Sequence, residues 1–331
     1  MMINSQRGFT LVEALITVSL GLLIIAAGFA VFLSGQRSIV LQNGMGELQQ
    51  NANFGLATLA QDIRHANLNT VSKQLITSNT AGSGIIFSEK NLPASFAGSS
   101  LDYLFTAHEQ DDSATTIKSD RLTIQYVPEY NKITSQEEYE EDGETKTRDI
   151  TTYSFNGIDC EGNALEFDQP RVIVQRYHLK LDTYQVEGTP SAYSLYCDAG
   201  SYVEGDSVIT GISDDKDGQQ LMQKIDLFKV RLGLKDKSGK MRYANIADYL
   251  TLMPVASTDT TPQYNIQSVE ISLLARSTTP VTSEDLIKND RDFRINDVDV
   301  KLSKVHIDGP KYIREVFNQV VAFRNTFGAS L

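Results

Sequence analysis

Four histidines (His65, His108, His178, His306), two cysteines (Cys160, Cys197) and one acid beside a long apolar run (Glu13) offer the most chemistry in this sequence. A helical metal pair needs histidines four residues apart, and structural zinc sites need closely spaced cysteines. Neither spacing occurs. There is also no phosphate-cradling glycine loop and no nucleophile elbow. The expectation is a protein that is not an enzyme and has no catalytic residue, metal ligand or cofactor. Asp214-Asp215-Lys216-Asp217-Gly218 carries oxygens suited to calcium but lacks the downstream bidentate glutamate, so it reads as a solvated acidic turn. Glu13 is different. A carboxylate within an apolar helix costs at least ~2.5 kcal/mol, so such groups pair, protonate or face a polar cavity. The plainer alternative is a glutamate snorkelling at a membrane surface.

The elements around Glu13 sharpen that choice. Residues 1–8 are polar, with Arg7 as their only charge, and Ala14 to Gln36 contains no charged residue. A helix over that stretch is roughly 34 Å long, enough to cross a bilayer core. Arg7 ahead of it, with no strong basic cluster behind, predicts a cytoplasmic N-terminus. Beyond Arg37, Met45, Leu48, Ala52, Leu56, Leu59 and Ile63 recur at steps of three and four, predicting an amphipathic continuation to about Asn67. No proline precedes Pro93, so none kinks this helix. Gly44-Met45-Gly46 is read equally as a point of local melting or of close helix packing.

After Thr70 the pattern shifts to alternation. Leu122 to Val127, parts of Arg171 to Leu181, Ala192 to Tyr196, Asp226 to Leu234, Tyr264 to Leu274 and Val316 to Phe323 read as strands. Asp142-Gly143 and Ser238-Gly239 read as turns between strands, and Ser72 to Ser100 as the connector from helix to sheet. The fold class is therefore α+β, a long N-terminal helix packed on a mostly antiparallel sheet. A net charge of −12 without a basic stripe disfavours direct nucleic-acid binding. The acidic segment Ser135 to Thr147 reads as a charged hairpin tip that keeps a sheet edge soluble, with docking of a basic partner as the alternative.

Arg7-Gly8-Phe9-Thr10-Leu11-Val12-Glu13 before the apolar run resembles the leader of type IV prepilins and pseudopilins. The resemblance implies cleavage after Gly8, N-methylation of Phe9 and retention of the helix. Glu13 would then dock subunits by approaching a neighbour's Phe9 amine. Asn51 to Ala66, Ser119-Asp120-Arg121-Leu122, Asp159-Cys160-Glu161-Gly162, Ser194-Leu195-Tyr196-Cys197 and Arg314-Glu315-Val316-Phe317 are similar to PilW-type minor pilins. That family implies partners: other minor pilins, the major pilin, a prepilin peptidase, an inner-membrane assembly platform, a tip adhesin, and the lipid bilayer before assembly. It implies a priming role near the fibre tip, supporting attachment, twitching motility and DNA uptake.

The resulting division is a leader at 1–8, a transmembrane and fibre-core helix at 9–36, its amphipathic continuation at 37–70 and a periplasmic head at 71–331. The subunit is expected in the inner membrane before assembly and on the cell-surface pilus afterwards. In an oxidising compartment Cys160 and Cys197 are expected to form a disulfide. Two other readings share these features: a GspJ-like pseudopilin of a type II secretion system, and a signal-anchored periplasmic adhesin that never polymerises.

Overall fold

The computed structural model describes residues 10–72, 74–141, 144–214, 218–255, 263–281 and 287–326. Helix α1 (Leu11–Ile63) is a single unbroken element of 53 residues, roughly 80 Å long at the usual rise. Its apolar composition carries the first half. The second half is held by a stripe of Gly44, Leu48, Ala52, Gly55, Leu56, Leu59, Ala60 and Ile63, all buried against the head. Met45, expected on that stripe, is 44% exposed. Gly44 occupies the inward position instead, where an added Cβ would sit tightly at 3.3 Å from Ile313 Cδ1. The helix stops at Ile63 rather than near Asn67. Asn67 adopts a left-handed φ of 66° and turns the chain away.

Two large antiparallel sheets form the core of the head. The first joins β1 (Ala107–Asp111), β2 (Ser119–Tyr126), β6 (Val172–Leu181), β7 (Tyr193–Tyr202) and β8 (Gln219–Met222) in the order β1-β2-β6-β7-β8. The second joins β9 (Ile225–Asp236), β10 (Met241–Asn245), β11 (Tyr264–Arg276) and β14 (Arg314–Ala322) in the order β10-β9-β11-β14. α1 rests on β8, β11 and β14. Leu48, Leu56, Leu59 and Ile63 share one core with Tyr177, Leu195, Phe228, Ile271 and Leu273 from the two sheets. The Ser238-Gly239 turn is present between β9 and β10. Gly239 has φ +85°, and Asp236 Oδ1 accepts from the amides of Ser238 and Lys240, both at 2.9 Å.

The connector after α1 is more than a link. Ile76, Ile85, Ile86, Leu92 and Phe96 are buried in it. Asn91 stitches it together, accepting from the Phe87 amide at 2.8 Å and donating to the Thr77 carbonyl at 2.9 Å. Short elements complete the head: α2 (Ile246–Leu252), the hairpin of β12 (Phe293–Ile295) and β13 (Val298–Val300), and α3 (Lys304–Asp308). The acidic segment belongs to a larger unit than a hairpin tip. β3 (Asn131–Glu141) and β4 (Glu144–Ile158) pair antiparallel from Asn131 opposite Ser154 to Glu141 opposite Glu144. β5 (Ala164–Phe167) adds to the base of β4. No described side chain of β3 or β4 is buried. The expected Asp142-Gly143 turn lies outside the described residues.

Candidate functional site

The stem of α1 is the part of the molecule least compatible with water. Its 18-residue apolar window has a mean hydropathy of 2.5 and no buried residue. Leu11 is 78% exposed and Ile24 73% exposed, and the apolar side chains point to all sides. A patch this large is not left bare on a soluble protein. Lipid or other helices must cover it.

The stem starts with a built N-terminus. Thr10 is the N-cap, with extended backbone, and its Oγ1 accepts from the Glu13 amide at 3.2 Å. That bond satisfies one of the orphan donors of the first turn. Glu13 lies in that turn, where a negative charge faces the positive end of the helix dipole. Its side chain is exposed, so it is presented to whatever covers the stem. Gly8 and Phe9, expected as the cleavage and methylation positions, lie outside the described residues.

The lower half of α1 is fastened to the head by few but specific contacts. A Cβ on Gly44 would lie 3.3 Å from Ile313 Cδ1, and one on Gly55 would overlap the side chain of Met222. Thr278 Oγ1 donates to Glu47 Oε2 at 2.6 Å, and Asn51 Nδ2 donates to the Gln223 carbonyl at 2.7 Å. At the helix end, Asn67 Oδ1 accepts from the Gly84 amide and from Ser72 Oγ, both at 2.8 Å. Sequence reading missed this hub. Its only signal was an asparagine just past a helix, where a left-handed residue commonly ends the turn.

Two regions match known families. Residues 3–29 match the prokaryotic N-terminal methylation motif, and residues 183–325 match type IV pilus-assembly protein W. Over residues 183–325 the chain is similar to the PilW family. No curated protein matches it. A type IV-like pilin from Thermus thermophilus is similar among solved structures, at 10% identity, with 84% of this chain and 98% of that chain covered and a TM-score of 0.33. The two matches are those of a prepilin-like type IV pilus-assembly protein, which is structural rather than enzymatic. Assembly into a pilus implies pilin and peptidase partners, and the methylation motif with its apolar helix is consistent with an inner-membrane prepilin.

The short motifs that resemble PilW-type pilins turn out to be structural fasteners. Asp120, fully buried, accepts from Lys229 Nζ at 2.6 Å and from the Val230 amide at 2.9 Å, tying β2 to β9. Arg314 Nε donates to Asp226 Oδ2 at 2.6 Å, tying β14 to β9. A pair of the same kind lies outside those motifs, where Arg176 Nε donates to Asp198 Oδ2 at 2.6 Å between β6 and β7. Removing one partner from such a buried pair costs on the order of 3–5 kcal/mol. Cys160 and Cys197 form a disulfide, with Cα atoms 6.1 Å apart and a sequence separation of 37. It ties the turn after β4 to β7.

The histidines are absorbed by the fold in the same way. His108 Nδ1 lies 3.0 Å from Asp120, and His306 sits between Ser303 and the Ser191 carbonyl. His65 stacks on Tyr126 at 5.4 Å. His178 is held neutral, because burial first and Arg176 second push its pKa down to about 3. Among the described residues no group of His, Cys, Asp and Glu is arranged to hold a metal ion. Asp215, Lys216 and Asp217 of the expected acidic turn lie outside the described residues.

Proposed function

We infer that this chain is a minor pilin, cut by a prepilin peptidase after Gly8 and N-methylated on Phe9. Before assembly, residues 9–36 hold it in the inner membrane with its N-terminus in the cytoplasm and its head, residues 71–331, in the periplasm. The segment 37–70 carries the stem into the head. An assembly platform then draws it from the bilayer into a type IV pilus beside the major pilin and other minor pilins. Its place is a priming complex at the fibre tip, where it supports attachment, twitching motility and DNA uptake, with a tip adhesin as a further neighbour.

The observation that carries this reading is the continuity of α1. One helix has an uncovered apolar stem that begins at a capped turn bearing Glu13 and then passes without a break into the core of the head. In lipid the stem is covered by acyl chains. In a fibre it is covered by the stems of other subunits, so extraction exchanges one apolar environment for another. Glu13 gains a counterpart in the new amine of a neighbour's Phe9, an attraction strengthened by low dielectric. The match to pilus-assembly protein W supports a pilus over a secretion pseudopilus.

Mass spectrometry of the native N-terminus tests maturation. A methylated Phe9 is expected, and a chain beginning at Met1 would favour the non-polymerising anchor. Glu13→Ala tests docking. It is expected to leave the membrane-bound level unchanged and to deplete the chain from sheared pili. Normal incorporation would return Glu13 to a simple surface role.

A further inference from the structure

The β3–β4 ribbon lies outside both matched regions, which end at residue 29 and resume at 183, and the assembly reading above does not use it. Its placement is defined by its root. Asn67 donates its amide to the Gln125 carbonyl and Val127 donates its own to the Leu68 carbonyl, so the end of β2 lies beside the far end of α1. The ribbon is inserted between that end of β2 and the start of β6, on the side of the head away from the stem. Tyr126, Leu165 and Ile173 anchor it with Leu68, Phe155 and Phe167. Beyond this root, no described side chain of β3 or β4 is buried.

A two-stranded ribbon exposed on both faces is marginally stable alone. β3 is also an edge strand in the order β3-β4-β5, so among the described residues no strand pairs with its outer side. Natural edges are commonly blunted by bulges, prolines, shortness or charged side chains. Asn131–Glu141 is long, keeps an unbroken register with β4 and contains no proline, so charge is the one such device it carries. Its outer end is predominantly acidic, with Lys146 and Arg148 on the facing strand as the bases there. Glu137, Glu138, Glu140, Glu141, Asp142 and Glu144 follow one another without a lysine or arginine among them. Arg148, on the facing strand, is already tied to Glu137 at 2.8 Å and lies over the Tyr139 ring. Acid of one sign repels a second copy of the same edge and attracts a basic strand.

We propose that β3 is a docking edge that accepts an extended, lysine- or arginine-bearing segment of another pilus subunit as an added strand. Main-chain hydrogen bonds supply the pairing and the acidic outer end selects the partner. The site rests on the pilus reading, since its partner is a subunit placed farther from the membrane than this one.

The test uses the full chain in piliated cells, with p-benzoylphenylalanine in place of Thr134 on β3 and, separately, in place of Ile24 on the stem. Irradiation is expected to join position 134 to a different pilus subunit, with the adduct mapping to a segment rich in Lys or Arg. Glu138→Lys combined with Glu140→Lys is expected to lower that yield about tenfold, as the Glu→Gln pair does to a lesser extent. The Ile24 adduct should be unaffected. Adducts at Ile24 but none at 134, adducts at 134 only with a second copy, or a yield indifferent to charge reversal would each overturn the docking edge. Absence of any pilin adduct at Ile24 would instead overturn the assembly reading, and the edge with it.

Discussion

Asp62 shows how one residue at the junction of stem and head sets a condition on stability. It occupies the last turn of α1, where an acid meets the negative end of the helix dipole. Burial raises its pKa from 3.8 to about 6, against the opposing effect of Tyr177, whose Oη donates to Asp62 Oδ2 at 3.3 Å. Asp159 pushes in the same direction as burial. The folded form therefore holds its proton more tightly than the unfolded chain. That contribution is complete below pH 3.8 and is lost as pH rises through about 6. Asp62→Asn is expected to raise unfolding free energy at pH 7.5 by up to about 3 kcal/mol, with the gain vanishing near pH 3.5. Denaturant titrations at the two pH values measure it, and equal stabilities at pH 7.5 would contradict it. Some pH slope will remain, because burial also raises Asp111 to about 6. The disulfide gives a second prediction at this scale. Cys160→Ala with Cys197→Ala should lower stability by about 4 kcal/mol, the loop-entropy value for a closure of 37 residues. A loss below about 1 kcal/mol would mean that this loop is already constrained by its packing.

At the scale of elements, α1 and the sheets differ in how openly their sequences declare them. The apolar stem was legible because its composition leaves no alternative. β2, β6, β9, β11 and β14 were legible from alternation and β-branched or aromatic content, although β2, β6, β9 and β11 are buried along most of both faces. β7 was read only to Tyr196, although it continues to Tyr202. Its second half, Asp198 to Ser201, looks like a loop until Asp198 meets Arg176 and Gly200 meets the Thr210 carbonyl. The ribbon was legible only in part. Its turn was marked, but its strands carry Thr, Ile and acids with no core-facing period, so strand propensity alone signals them. The PilW resemblance placed the motif residues but not their work, because the pairing of Asp120 with Lys229 depends on sheet order. Glycines of α1 mark the same boundary. Gly46 faces open space while Gly55 meets Met222, and nothing in the sequence separates the two. Gly46→Ala should therefore stabilise by up to ~1 kcal/mol through helix propensity. Gly55→Ala should destabilise by about 1–3 kcal/mol through overpacking against β8. Thermal unfolding of the two variants should move in opposite directions. If assembly requires α1 to melt near Gly44-Met45-Gly46, Gly46→Ala will also slow incorporation, and unchanged incorporation excludes melting there.

At the scale of the whole molecule, the buried and exposed parts of α1 divide at one place along its length. Every buried residue of the helix lies at Gly44 or beyond, while the large apolar side chains from Leu11 to Leu33 are all exposed. The stem therefore adds nothing to the core of the head, and the head adds no cover to the stem. Such a division suits a subunit that must exist in two surroundings, because the environment of the stem can change without disturbing the fold above it. It also yields a direct expectation. A chain beginning at Arg37 retains the entire inward stripe, both sheets and the disulfide, and loses the surface that demands lipid. It should be soluble without detergent, monomeric in sedimentation, and as resistant to denaturant as the full chain in micelles, within about 1 kcal/mol. Each apolar side chain left uncovered in water would otherwise favour association by roughly 1.5–3 kcal/mol on burial, so the full chain should aggregate when detergent is withdrawn. A truncated head that aggregates, or that unfolds several kcal/mol more readily, would show that the stem supports the core. The clean separation that lets one helix serve both membrane and fibre would then be lost.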